Sequence, residues 1–344
     1  MRSCRKEEYM RGKRGLLAVL AAVIAGVFIC GCSKGSAEPV EREEIRETVT
    51  EEEDPKAAQT EKTPEEEEIP DDGRFHGKWV VDAAYAAGRV GAPDTIFVDG
   101  RGEKQAILGT VEGAVATVWQ DWSIQDGKAG DETWGCIPEP AILAQTLGNL
   151  GITKDKEIIL LGETLDGWGD DARLLWELLA AGYTDVKMVD GGYSAIKEAG
   201  AATQLFASKP KPSEVVIDKI DHSHVMSTAE LQNNYDSYKI VDVRTDEEYD
   251  GAILYDEAKG GHLPGAVHIR YTDLFQENGT LKPNKELVQM FEDAGLQKEN
   301  AIVTYCTGGI RSAYMQLVLE MCGFEDSYNY DQSFWRWAVV GEVE

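Results

Sequence analysis

Cys306 lies in the run Ala-Ile-Val-Thr-Tyr-Cys-Thr-Gly-Gly-Ile-Arg-Ser at residues 301–312, and no other stretch of the chain restricts its architecture as strongly. The apolar residues before Cys306 predict a buried strand, and Ser312 to Met321 predicts a helix with Leu317, Val318 and Met321 on one apolar stripe. The loop between them carries Gly308, Gly309 and Arg311. A strand, a glycine-bearing loop and a helix N-terminus form an anion cradle, because backbone N–H groups converge and the helix end adds partial positive charge. A cysteine at the base of such a cradle loses its proton readily, since the thiolate is the form that the cradle stabilises. The alternative is an inert cysteine buried at a strand end. The two loop glycines and the arginine five positions on favour the nucleophile.

Three further motifs precede or follow this run in a fixed order. They are Lys239-Ile-Val-Asp-Val-Arg244, Gly261-His-Leu-Pro-Gly-Ala266 and Tyr328-Asn-Tyr-Asp-Gln-Ser-Phe-Trp335. Together with the Cys306 loop they resemble the rhodanese family of sulfurtransferases. The first half carries a weaker echo. Thr95 to Arg101 parallels Lys239 to Arg244, Gly109 to Ala114 parallels Gly261 to Ala266, and Glu157 to Leu161 parallels the strand before Cys306. Tyr183 to Gly192 adds a Val…Val-Asp-Gly-Gly segment similar to the family's. Alternating strands and helices in both halves imply α/β domains. The resemblance implies two rhodanese-like domains, each a parallel sheet flanked by helices on both faces. Residues 78–207 form the N-terminal module and 222–344 the C-terminal one, joined by a proline-containing linker.

The two modules differ where chemistry is expected. In the first, the loop after the strand is Gly162-Glu-Thr-Leu-Asp-Gly-Trp-Gly-Asp170, with no cysteine and with carboxylates that repel an anion. It reads as non-catalytic. In the second, four residues separate Cys306 from Arg311. The related dual-specificity phosphatases and arsenate reductases have one residue more, so the resemblance implies sulfur transfer rather than phosphoryl chemistry.

The resemblance implies a catalytic Cys306 that carries sulfur as a persulfide, with the backbone of Thr307, Gly308, Gly309 and Ile310 cradling it. Two roles are open for Arg311, a structural clamp beneath the loop and direct electrostatic support. Arg244 matches the family arginine that faces the donor's anionic end, and a salt bridge with Glu247 or Glu248 is its alternative. Asp242 and His262 read as structural, and Trp335 as a pocket wall or core residue. The expected partners are a small sulfur-containing anion, of thiosulfate type, and a thiophilic acceptor such as cyanide or a thiol. A protein that accepts the sulfur is a second reading. Glu248 stands where mercaptopyruvate enzymes commonly place an arginine, which disfavours that donor. Nothing in the residues calls for a metal or an organic cofactor.

Residues 1–32 predict an export signal: Arg11, Lys13 and Arg14, then an apolar stretch from Gly15 to Ile29 that is short for a membrane span. Ile29-Cys-Gly-Cys32 resembles a lipobox, with Cys32 as the lipidated residue, which places the protein outside the cytoplasm on a lipid anchor. Residues 33–73 are rich in Glu, Pro and Thr and predict an extended acidic tether. The formal charge of −28 argues against nucleic acid as a partner. Cys136 and Cys322 remain, either as a bridge between modules or as two free thiols.

Overall fold

A computed structural model describes residues 70–344. The predicted export signal, the Cys32 lipidation site and nearly all of the acidic tether lie outside the described residues. Among the described residues, no helix is long and apolar enough to cross a membrane.

The first module is built on five parallel strands, β1 (Val80–Val81), β2 (Thr95–Asp99), β3 (Val115–Ala116), β4 (Glu157–Leu161) and β5 (Val186–Val189), in the spatial order β1-β5-β4-β2-β3. Strand β4 is buried throughout, as a central strand covered on both faces must be. A short antiparallel ribbon pairs Thr110–Val111 with Thr203–Gln204. The second module carries β6 (Lys239–Asp242), β7 (Val267–His268), β8 (Ile302–Tyr305) and β9 (Ser327–Asn329), in the order β9-β8-β6-β7 and again all parallel. The segment 208–221 has no regular structure, yet it is tied down: Ser213 and Asp221 donate backbone N–H groups to the carbonyls of Gly148 and Ala180.

The modules share a core. Helix α1 (Asp170–Ala180) follows β4, and helix α2 (Arg311–Met321) follows β8 at the equivalent place. These two helices pack on each other, and Leu174, Leu175 and Leu178 join Ala313, Tyr314 and Leu317 in one apolar cluster. Both modules fall in a single compact unit. This packing explains a difference from the sequence expectation. Instead of one apolar stripe, α2 is buried all round except at Glu320, including Arg311, Ser312 and Gln316. Its own sheet covers one face and the first module covers the other. A helix in that position must hold its polar side chains inside, where each needs a partner.

The internal repeat extends to side-chain detail. Arg101 donates from Nε and Nη2 to Asp99 at 2.9 and 2.8 Å and from Nη2 to the Gly109 carbonyl at 2.9 Å. Arg244 donates from Nε and Nη2 to Asp242 at 3.0 and 2.7 Å and from Nη2 to the Gly261 carbonyl at 2.8 Å. In both modules the Asp-x-Arg motif therefore ties the end of a central strand to the glycine turn that follows.

Asp171, in the first turn of α1, is fully buried, and neither of its oxygens meets a partner at hydrogen-bonding geometry. Burial pushes its pKa up to about 7 against a pull from the Ala172 amide, and the neighbouring Asp170 carboxylate adds a smaller rise. An acid raised in the folded state binds its proton there before it does in the unfolded chain. The contribution of the neutral form is fully present below about 3.8, and stability falls as pH rises from there through about 7. Asp170 and Asp190, each raised to about 6 by burial, act in the same direction. Denaturant unfolding followed across this range should show stability declining toward neutral pH. The expected slope is about 1.4 kcal/mol per pH step of one for each such proton, and Asp171→Asn should flatten the decline. A wild-type curve that rises toward pH 7 would contradict this assignment.

Candidate active site

Strand β8 ends at Tyr305, and Cys306 begins a loop that closes into the N-terminus of α2 at Arg311. Every residue of the loop is buried, and Cys306 itself is 1% exposed. Gly309 donates its N–H to Cys306 Sγ at 3.1 Å. Ser312 Oγ stands 3.7 Å from the sulfur and donates to Asn329 Oδ1 at 2.7 Å. The Cys306 amide donates to Ser333 Oγ at 3.1 Å, which fixes the base of the loop to the segment after β9. Gly309 has a φ of +84°, the left-handed region open to glycine. Gly308 is required by packing instead, since a Cβ there would collide with the Trp335 ring.

Burial alone would raise the Cys306 pKa. The Arg311 charge, hydrogen bonding to Ser312 and the loop amides outweigh it, so the pKa falls below the usual cysteine value. The other two described cysteines behave oppositely. Cys136 and Cys322 are free, and burial pushes both up, Cys322 to about 12. Neither the bridge between them nor a reactive role for either appears in the structure.

Arg311 donates from Nη1 and Nη2 to the two oxygens of Glu248 at 2.8 Å each and from Nη2 to Thr307 Oγ1 at 2.8 Å. Thr307 Oγ1 in turn donates to Glu248 Oε1 at 2.6 Å. Glu248 sits in the first turn of the short helix Asp246–Tyr249, where Thr245 caps the end and accepts its amide. Burial would raise the Glu248 pKa, but the bonds and charge of Arg311 and the Thr307 hydroxyl hold it at about 2. Arg311 thus ties Thr307 of the loop to Glu248. Its Nε–H remains buried with no protein partner.

The structure brings together Cys306, Thr307, Gly308, Gly309, Ile310 and Arg311 as one loop. Within it the Thr307 hydroxyl is held by Glu248 and Arg311, and Ile310 is a core side chain. Arg244 is not among them. Expected to face the donor, or else to pair with Glu247 or Glu248, it is fully buried on Asp242 and the Gly261 carbonyl, with its Cζ 4.0 Å from the Phe334 ring centre. Its Nη1 remains buried with no protein partner. The equivalent Arg101 makes the same bonds to its aspartate and glycine turn in a module without a cysteine, and adds one from Nη1 to Glu163 at 3.1 Å, so the motif ties strand to turn in both copies. His262 stacks on Tyr249 at 3.9 Å between ring centres and is likewise part of the scaffold.

Sequence reasoning missed several contributors. Glu248 figured only as an alternative partner of Arg244 and as a repellent to carboxylate donors. Its place at the third position after the capping Thr245 was the available signal. Trp168, from the cysteine-free loop of the first module, lies 5.8 Å from the Arg311 Cζ and edge-on to Tyr255 at 5.1 Å. Trp335, expected as a pocket wall or core residue, lies over Gly308, donates to the Tyr255 carbonyl at 2.8 Å and meets Trp134, which was missed, edge-on at 5.0 Å. The site is therefore walled by aromatic residues from both modules.

Comparison with known proteins agrees with this architecture. The model of the rhodanese-like domain matches twice, over residues 82–199 and 227–339. A putative thiosulfate sulfurtransferase of Mycolicibacterium smegmatis is 28% identical over 274 residues, covering 77% of this chain and 95% of the relative. The thiosulfate sulfurtransferase of Corynebacterium glutamicum is 26% identical, with 76% and 88% covered. Among solved structures, the 3-mercaptopyruvate sulfurtransferase of Leishmania major has the same fold, with a TM-score of 0.65 at 18% identity over 78% of this chain and 76% of that one.

Because Glu248 is ionised in the fold from about pH 2 upward but near 4.5 otherwise, its pairing stabilises the protein fully above 4.5, and the gain is lost as pH falls toward 2. Glu248→Gln leaves Arg311 buried without its counter-charge. At neutral pH this should cost about 3–5 kcal/mol in denaturant unfolding, with the gap from wild type narrowing as the solution is acidified below 4.5. A variant as stable as wild type at neutral pH would show that the pair does not hold the loop.

Proposed function

This chain belongs to the rhodanese-like family, and we propose that it is a sulfurtransferase that moves sulfane sulfur through Cys306. The observation that carries the reading is the Gly309 N–H aimed at Cys306 Sγ beside the Arg311 charge, which together favour an anionic sulfur in a buried loop. The relatives named thiosulfate sulfurtransferase support thiosulfate as the donor class.

In the first half-reaction the Cys306 thiolate attacks the outer sulfur of thiosulfate. A new S–S bond forms, and the old S–S bond breaks so that sulfite leaves with its electron pair. A persulfide anion remains on Cys306, and total charge is conserved. Cyanide or a thiolate then attacks the outer sulfur, and the Cys306 thiolate is regenerated. This is covalent catalysis with ping-pong kinetics. The loop amides lower the energy of both sulfur anions as an oxyanion hole does for oxygen. Arg311 is the cation nearest the reaction in this reading, and its unpartnered Nε–H is a donor available to the bound anion. The Thr307 hydroxyl is held by Glu248, and Arg244 is paired with Asp242 through Nε and Nη2 while its Nη1 has no protein partner.

The N-terminal segment supports a location outside the cytoplasm, with the catalytic unit held at a membrane through lipid on Cys32. A protein thiol as sulfur acceptor fits the same chemistry.

Intact mass of the purified full chain, with and without thiosulfate and beside Cys306→Ser, tests the proposal. The expected result is a gain of one sulfur atom that cyanide removes and that the variant lacks. Its rate should rise with pH and level off below the ordinary cysteine pKa, because only the thiolate attacks. No gain from thiosulfate, mercaptopyruvate or polysulfide would overturn the assignment.

A further inference from the structure

The first module lacks a cysteine in its loop, yet one of its side chains enters the catalytic loop. Arg173, on α1, is fully buried. Its Nε donates to Glu177 at 2.6 Å, its Nη2 to the Gly135 carbonyl at 2.8 Å and its Nη1 to the Gly309 carbonyl at 3.1 Å. The rings of Trp176 and Trp119 lie 5.0 and 5.6 Å from its Cζ. Every guanidinium nitrogen is engaged, so the planar fork is fixed in orientation.

The Gly309 carbonyl is the point of leverage. It also accepts from Asn329 Nδ2 at 3.2 Å. Two donors, one from each module, thus hold this oxygen outward. The peptide is trans, so an outward carbonyl turns the Ile310 N–H the opposite way, off the Arg173 side of the loop. The Gly309 N–H, one peptide earlier, is the group that donates to Cys306 Sγ. The space is closed as well: a Cβ on Gly309 would come within 2.6 Å of Arg173 Nη1 and would overlap the Asp331 carbonyl. The carbonyl that Arg173 pins and the N–H that reaches the sulfur therefore belong to one residue, Gly309.

We propose that Arg173 is a positioning residue, through which the non-catalytic module sets the amide cradle of Cys306 in the other module. This role rests on the sulfur-transfer reading above, because it is the stability of a sulfur anion that the cradle serves. It gives the first module a function in the reaction without a ligand or nucleophile of its own. The arrangement resists a purely local explanation, since Asn329 already supplies a donor to the same oxygen from within the second module. The added bond comes from a full positive charge, and a charged donor makes the stronger hydrogen bond.

The test compares wild type with Arg173→Met in the full chain by two readouts. The first is the pH titration of thiolate ultraviolet absorbance, taken as the difference from Cys306→Ser in the same background. Cys136 and Cys322 are held high by burial and stay out of that range. The second is the rate of sulfur gain from thiosulfate by intact mass. The expected result is a Cys306 titration moved to higher pH and a sulfur gain slowed about tenfold, a smaller effect than removing a direct donor. Should Arg173→Met fail to fold, Arg173→Lys carries the same test. It keeps a cation beside Glu177 but lacks the fork that reaches both Gly135 and Gly309, and it should fall between the other two. A folded variant that titrates and gains sulfur as wild type does would reduce Arg173 to a strut between modules and overturn the proposal. Wild type that gains no sulfur would sink the sulfur-transfer reading, while the titration would still decide for or against Arg173.

Discussion

A thiolate inside a protein needs opposite charge and hydrogen-bond donors at close range, because burial by itself favours the thiol. At Cys306 this requirement governs the surrounding architecture. The sulfur sits where a parallel strand meets a helix N-terminus, and the amide of Gly309 and the charge of Arg311 turn the balance toward the anion. Arg311 in turn is a buried cation and must be matched. Glu248 matches it, and Thr307 joins the two, so the anion site is the outer member of an alternating series: sulfur, arginine, carboxylate. Removing Glu248 leaves Arg311 without its counter-charge, and removing Arg311 leaves both the carboxylate and the sulfur without theirs, in a medium that penalises unpaired charge.

The series can stay buried because the second module is not the only thing covering it. Helix α2 lies between its own sheet and α1 of the first module. A single α/β layer would leave the outer face of α2 to water. Here Trp168, Trp134 and the Arg173 guanidinium stand on the first module's side of the loop. The duplicated module thus contributes surface and dry surroundings where it no longer contributes a nucleophile. Its own loop has gone the other way. Glu163, in that loop, lies against Arg101 at 3.1 Å in a salt bridge, whereas the matching Nη1 of Arg244 has no protein partner.

Much of this was legible in the chain. The strand, loop and helix from 301 to 321 could be read from apolar runs and glycines, since those signals are local. The repeat of Asp99-Gly-Arg101 and Asp242-Val-Arg244 was visible too, but its meaning was not. A spacing of two residues puts both side chains on the same side of an extended strand, where an arginine can as well turn back on the aspartate as reach outward. Sequence does not decide between these, and the structure shows the inward turn in both copies. Arg173 was harder still. With Glu177 four positions on, it reads as an ordinary exposed helical ion pair. Only the surrounding Leu174, Leu175, Trp176 and Leu178 hint that this helix has no solvent face. A polar residue inside an all-round apolar helix is the local sign that another element covers it, yet which element cannot be read from spacing.

The two copies also separate what the fold needs from what the chemistry needs. Both keep the aspartate–arginine staple with nearly the same bond lengths, the glycine turn that receives it and the central buried strand. These hold the sheet edge in register with the loop, and their presence in the cysteine-free copy follows from that task alone. What differs is the loop between strand and helix. In the first copy it runs from Gly162 to Gly169 and presents Trp168 toward its neighbour. In the second it is cut to the few residues from Cys306 to Ile310, short enough for its amides to converge on one sulfur. A longer loop can reach a partner but cannot close around an atom. The division of labour between the modules follows from that geometric choice, with one loop shaped to enclose and the other to cover.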